Sequence, residues 1–382
     1  MLTRFALDTA LRSPLPFLGV IAAAFGQSAQ SASWLSVALT LAGLAAPFTG
    51  LLGQRFGQRR MVFWPLAVFA LSCALMAVAP TFGAVLALCV TLGIAKSMFD
   101  PQMQMFIGEQ VPYDKRGTVI GIVEFSWALS WAIGVPVFAF LASRVAWWSP
   151  FLLMGLVAAL GAAAVWATAR QVMHPADPTV AFSFDTWRTV WRYPKVRLFL
   201  LFSVGITIPA TLPYLVYPLW MQRNFKLGIE ELGIASVVLG AADLIAELLV
   251  VGLVDRIGKR RSVIIGGVFY ALAYILFWAL QSTLPGMLVA LFCIYLGFEF
   301  TLVASLPIAS EMVPEARATM MGFNGAATTV GRIVGSLIAL PLFAQDRLWL
   351  VALVGFVSVG LSVLFSWQAT RSTPAPNALE AR

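Results

Sequence analysis

The sequence predicts an all-α membrane protein, with twelve transmembrane helices in two pseudo-symmetric six-helix bundles. Three observations predict it: scarce charge, long unbroken apolar runs, and an internal repeat. Charged residues make up 11% of the 382, hydrophobic ones 60%, and mean hydropathy is +0.88. Soluble domains carry about 25% charged residues, so most of this surface must face lipid. A helix crosses a bilayer in roughly 20 apolar residues and satisfies its own backbone polar groups there. The apolar runs are continuous and Leu/Ala-rich, without the strand-length alternation of a membrane β-barrel.

Taken in order, the first span, 5–24, is the least regular, because Arg12, Pro14 and Pro16 interrupt it. It has no cleavable signal pattern and is read as a retained helix, with Arg12 near its cytoplasmic end. Spans 34–53 and 61–79 flank the short basic stretch 54–60. The fourth, 82–107, holds Lys96 and Asp100 one turn apart, with Pro101 as a kink site. The fifth and sixth, 118–141 and 147–168, carry Glu124, Trp127 and Trp131, then the interface residues Trp147 and Trp148. The seventh, 198–221, contains Pro209, Pro213 and Pro218 and reads as a broken helix of the kind that gates a cavity. The last five are 231–253, 262–281, 284–307, 319–343 and 348–367.

The basic residues fix the expected orientation. Of 25 Lys and Arg, 19 fall at the two ends and in alternate loops, against four (Arg144, Arg223, Lys226, Arg347) in the other loops. The positive-inside rule places the 19 in the cytoplasm, hence both termini there, in a plasma (inner) membrane. The net charge of +8 is spread over every second loop and forms no patch, which argues against nucleic acid as a partner. Cys73, Cys89 and Cys293 lie in apolar runs, and His174 is the lone histidine, so neither a disulfide framework nor a metal site is expected.

The string GLLGQRFGQRR at 50–60 returns as GLVDRIGKRR at 252–261, an offset of 201. EQVPYDKRGTVIG (109–121) similarly matches EMVPEARATMMG (311–322), and Gly134 meets Gly335. The chain therefore divides into bundles 1–168 and 198–367, a cytoplasmic linker 169–197 and a tail 368–382. Repeats of this type mark secondary transporters, with the binding site near the midplane between the halves. On these strings the sequence resembles the major facilitator superfamily over essentially its whole length, whose signature after helices 2 and 8 reads G-x-L-x-D-R-x-G-R-R. FDPQMQMFIGEQVPYDKRG (99–117) is similar to the bacterial multidrug and sugar-efflux branch. Two departures stand against that branch. Its helix-5 pattern G-x-x-x-G-P-x-x-G-G is reduced to Gly134 and a displaced Pro136, and its early helix-4 arginine is missing.

The resemblance implies a conformational lock at Gln54, Arg55, Gly57 and Arg59 and at Asp255, Arg256, Gly258 and Arg260. Gly57 and Gly258 permit a tight turn. Asp255 matches the family aspartate that caps a helix start in the opposite half, here near Gly117 and Thr118. Gln54 replaces that aspartate in the first copy, so a weaker lock near Ala318 and Thr319 and a bias toward inward-facing states are expected.

Ionisable groups inside a membrane are costly and face cavities. Lys96, Asp100, Glu124, Asp243, Glu247, Glu299 and Arg332 lie within spans; spans 3, 6, 9 and 12 hold none, and the family places those four outside the cavity. Asp243 and Glu247, four apart, resist ionising together and are the leading proton site, unless Arg332 neutralises one of them. Glu124 and Glu299 are the further proton candidates. Lys96, Asp100, Trp127, Trp131, Tyr214, Tyr217, Tyr295 and Arg332 are the substrate-cavity candidates, suited to amphipathic and often cationic molecules. No nucleophilic or phosphate-binding constellation suggests an enzyme, and no cofactor is implied. The expected activity is proton-coupled export of small organic solutes, drugs or sugars, by a monomer. The alternatives are a metabolite importer or uniporter, or a receptor of the same fold without transport.

Overall fold

A computed structural model describes residues 1–110, 123, 125–168, 185–343 and 347–371. Among the described residues, twelve helices are long and apolar enough to cross a membrane. They are α1 (Leu2–Ala24), α2 (Ala32–Thr49), α3 (Gln58–Val78), α4 (Phe82–Met103), α5 (Phe125–Arg144) and α6 (Ser149–Ala167) in the first bundle. The second holds α7 (Pro194–Phe225), α8 (Ile229–Ile257), α9 (Lys259–Ala279), α10 (Leu284–Met312), α11 (Thr319–Phe343) and α12 (Leu348–Thr370). A short linker helix, Asp185–Arg192, precedes α7. Large apolar side chains point outward along α3 (Trp64, Leu71), α6 (Leu156, Leu160), α9 (Leu272, Trp278) and α12 (Leu361, Leu364). The chain is a multi-pass membrane protein, and lipid is the medium in which that exposure is favourable.

Within the first bundle α3 packs on α4 and α6; within the second α9 packs on α10 and α12. The halves meet along three seams, α1 with α7, α2 with α11 and α5 with α8. Small residues make these seams close. The position of a Cβ on Gly240 of α8 is 2.9 Å from the Ala132 nitrogen of α5, and that of Gly322 of α11 is 2.7 Å from Pro47 of α2. Without a hydrophobic drive between helices in lipid, such backbone approach is a main source of adhesion. Ser36 and Ser336 hydrogen-bond across the α2–α11 seam at 2.8 Å. The end of the molecule that carries Met1 is called the terminal end below; the other is the far end.

The repeated glycines behave as the repeat predicts. Gly57 and Gly258 turn at φ 85° and 94°, in the left-handed region that a Cβ disfavours. Two expectations about helices need correction. The first span is longer than expected and starts at Leu2, with a tight turn at Leu15–Phe17 between helical pieces. Arg12 therefore lies midway along α1, away from the terminal end, and leaves the basic count of that end.

Nor is α7 broken: it runs unbroken from Pro194 to Phe225 with three prolines inside. A proline has no N–H, so it frees the carbonyl four residues earlier. Hydroxyls from neighbouring helices take up two of those carbonyls. Ser358 of α12 donates to the Gly205 oxygen at 2.8 Å, and Tyr274 of α9 donates to the Pro209 oxygen. Satisfied from outside, the backbone stays helical. Helix α5 contains one wide, π-type turn at Ser130–Gly134, a form common at functional sites.

Candidate functional site

The site grows from one face of α1. Arg4, Asp8 and Arg12 are four residues apart, so their side chains stack along a single stripe. All three are buried. Asp8 is the hub of the first half: Lys96 Nζ of α4 lies 2.6 Å from its Oδ1 and Arg4 Nε 3.7 Å from its Oδ2. Ser126 of α5 donates to Asp8 Oδ2 at 2.8 Å. The same Lys96 ammonium reaches Asp100 Oδ2 at 2.6 Å. Two carboxylates around one ammonium, with arginine and hydroxyl donors, give the compensation that a charge withdrawn from water requires.

At its inner end the stripe crosses to the other bundle. Arg12 Nη1 meets Asp243 Oδ2 of α8 at 3.1 Å, with the two side chains 9% and 2% exposed. The same nitrogen donates to the Trp127 carbonyl at 3.3 Å. The guanidinium carbon stands 3.0 Å from the centre of the Trp127 ring, a cation–π stack in a dry setting. Next to it Trp131 lies flat on Tyr214 of α7, ring centres 5.2 Å apart and planes 6° apart. Tyr214 then meets Tyr295 of α10 at 4.5 Å. This layer of rings spans both halves and closes the centre of the molecule.

On the terminal side lies a cavity of about 560 Å³. Its walls are mainly apolar, with Phe125 and Trp127 of α5 and Leu244 and Leu248 of α8 among them. Arg4, Glu247, Glu299 and Asn324 bring polar atoms to it. Glu299 is 6% exposed and, among the described residues, makes no hydrogen bond or ion pair; Asp243, Glu247, Arg12 and Arg332 lie within electrostatic reach. On the far side the α5–α8 seam is shut: Gly233 of α8 abuts Ala139 of α5, and Arg144 pairs with Glu230 at 2.9 Å.

The sequence-derived candidates separate accordingly. Asp243 and Glu247, one turn apart on α8, face different neighbours. Asp243 turns inward to Arg12, whereas Glu247 faces the cavity, and the carboxylate nearest in role to Glu247 is Glu299. The salt-bridge partner of Asp243 is Arg12, with Arg332 of α11 also within electrostatic reach. Lys96 and Asp100 belong to the Asp8 cluster, and Trp127 lines the cavity. Trp131, Tyr214 and Tyr295 form the closing layer, and Tyr217 is tied to Ser236 at 2.7 Å. Glu124 lies outside the described residues, as do the side chain of Gln54 and the helix start at 117–118 expected to receive Asp255.

Of the lock residues, Arg59 donates to the Trp166 carbonyl and stacks on its ring at 4.5 Å, tying α3 to α6. Arg55 packs against Phe56. Arg256 occupies the last turn of α8, and Arg260 the first turn of α9. Sequence reasoning passed over Arg4 and Asp8 and misplaced Arg12. The signal was present as three charges at a period of four in an otherwise apolar run. Its reading failed because the prolines at 14 and 16 made the run look like a frayed end.

The sequence matches the model of the Major Facilitator Superfamily over residues 1–215 and again over 207–382. It is 26% identical over 363 residues to the MFS-type transporter YceJ of Bacillus subtilis (strain 168), covering 92% of this chain and 89% of that one. It is 20% identical over 345 residues to Multidrug resistance protein 2 of the same organism, covering 87% and 84%. The fold resembles that of a bacterial homolog to the human lysosomal transporter Spinster, in inward-facing and unoccupied conformation. That likeness has a TM-score of 0.77 at 15% identity over 98% of each chain.

Proposed function

The chain belongs to the major facilitator superfamily, and from that premise we propose that it is a proton-coupled exporter of small amphipathic organic solutes working by alternating access. The observation that carries this reading is the Arg12–Asp243 pair, a buried ion bridge between the two halves at the edge of a cavity holding two more carboxylates. With the basic excess at the terminal end taken as the mark of the cytoplasmic side, the cavity opens inward and the far-end seam is the periplasmic gate. The bundles 1–168 and 198–367 are the rocking units, joined through 169–197.

The chemistry follows from charge. While Asp243 is ionised it holds Arg12, and the bridge keeps the halves together at the midplane. A proton on Asp243 Oδ2 removes the attraction, and Arg12 retains the Trp127 carbonyl and ring. In the cavity, Glu247 and Glu299 offer negative charge on apolar walls, which suits a solute with a hydrophobic body and a cationic group. Only one of the two ligands, proton or cation, needs to occupy these carboxylates at a time, and that competition is the basis of exchange. A multidrug resistance protein among the relatives agrees with this solute class.

The test is uptake into proteoliposomes with and without an imposed pH gradient, using a lipophilic organic cation. Gradient-driven accumulation that is lost in Asp243→Asn, while solute exchange persists, is the expected result. Equal flux with and without the gradient would make the protein a uniporter, and no flux of any organic solute would favour a receptor.

A further inference from the structure

The linker helix Asp185–Arg192 reads DTWRTVWR. Trp187, Val190 and Trp191 are spaced three and four apart and share one face; Arg188 and Arg192 lie on the other. The apolar face docks at the terminal end of the α2–α11 seam. The Trp187 ring lies between Phe48 of α2 at 4.9 Å and Phe323 of α11 at 5.0 Å. Trp191 also meets Phe323, at 5.6 Å, and Val190 is fully buried. Beyond the helix, the Tyr193 hydroxyl donates to the Glu315 carboxylate just before α11. A helix of about two turns thus touches both bundles where they must part if this end is to open along that seam.

The opposite face carries Asp185 at its start and is basic beyond it. Residues 188–197 contain Arg188, Arg192, Lys195 and Arg197 and no acidic residue. Arg192 and Arg197 are exposed, and Trp191 and Tyr193 are 42% and 39% exposed. The stretch runs directly into α7, so it sits at headgroup depth. Clustered cations on an amphipathic helix next to a membrane span attract anionic lipids, and half-exposed Trp and Tyr rings suit the same layer.

We propose that the linker helix is a membrane-surface clasp: Trp187 pins α2 to α11, and anionic phospholipid headgroups bound by Arg192, Lys195 and Arg197 keep the helix seated. A bilayer rich in anionic lipid then favours the state in which the α2–α11 seam is closed at the terminal end. The occupant is lipid, because the cations flank a span and the aromatic rings beside them need an apolar neighbour as well as water. This inference needs the helices to lie in a bilayer but is independent of what is transported.

The experiment measures the seam directly. Spin labels are placed at Phe56→Cys and Arg317→Cys, both exposed, after replacing the native cysteines. Distances are recorded for the full-length protein in nanodiscs of zwitterionic lipid, with and without one-third phosphatidylglycerol. Phosphatidylglycerol is expected to raise the short-distance population on the order of tenfold, from about three headgroup contacts. The Arg192→Gln/Lys195→Gln/Arg197→Gln protein should lose the lipid response, and Trp187→Ala should show the long distance in both bilayers. Identical distributions in the two bilayers for the unmodified linker would overturn the proposal. So would a full lipid response in the triple variant, or a shift driven by soluble pyrophosphate in zwitterionic nanodiscs.

Discussion

Arg12 and Asp243 stand 231 residues apart in sequence and 3.1 Å apart in space, joining the two bundles through one buried ion pair. Neither residue has meaning without the other: each alone is a charge stranded in oil. Asp243→Asn should therefore destabilise the protein by about 3–5 kcal/mol, because the guanidinium loses its counter-charge. The paired change Arg12→Gln/Asp243→Asn should recover most of that loss. Thermal unfolding of these two variants and of Arg12→Gln in one detergent gives the coupling, and additive losses would contradict the pairing.

The Asp8 cluster makes an ordered prediction. Asp8 is fully buried and serves Lys96, Arg4 and Ser126 together. Asp100 serves Lys96 and has a side chain 28% exposed. Asp8→Asn should cost about 3 kcal/mol and Asp100→Asn clearly less, since Lys96 then keeps Asp8. Unfolding midpoints ranking the other way would mean that Asp100 is the true counter-charge.

Closure of the α5–α8 seam, from the central ring layer to the far end, depends on small residues. Gly240 of α8 faces the Ala132 nitrogen, the Trp131 Cβ and the Ala128 carbonyl of α5 at about 3 Å from where its Cβ would be. Gly240→Leu cannot fit, and overpacking of this kind costs about 1–3 kcal/mol. Because the seam belongs to one state of two, the strain should appear as opening of the far end. A cysteine introduced at Trp127 should then react faster with a membrane-impermeant thiol reagent added from the far side. An unchanged rate would show that the seam is not the gate.

The tie between the linker and α11 has a pH window. The Tyr193 hydroxyl holds the Glu315 carboxyl below its ordinary value of 4.5, and the carboxylate holds the phenol above its ordinary 10.0. A depressed carboxyl contributes above its unfolded value and is lost as pH falls through the folded one. A raised phenol contributes below its unfolded value and is lost as pH rises through the folded one. The tie should persist across neutral pH and fail only in acid or strong base. Tyr193→Phe should move the Glu315 titration, followed by carbon-13 NMR, upward toward its ordinary value; an unmoved titration would show that the bond is not made.

By itself the sequence determined the medium, the helices and the repeat. Scarcity of charge forces most of the surface into lipid, and continuous apolar runs of span length follow from backbone satisfaction there. The strings around Gly57 and Gly258 recur because each half needs the same tight reversal. The charges inside spans announced a wet interface between the halves. Which of them meet was decided only by the tertiary structure, since ion pairing depends on the approach of helices far apart in sequence. Helical spacing suggested Asp243 with Glu247, but packing rotates Asp243 toward α1 and leaves Glu247 at the cavity. The three prolines of α7 read locally as a break, yet hydroxyls of Ser358 and Tyr274 from other helices restore what the backbone lost. Local propensity describes a chain in isolation, whereas a buried polar group takes its partner from whatever the fold brings within about 3 Å.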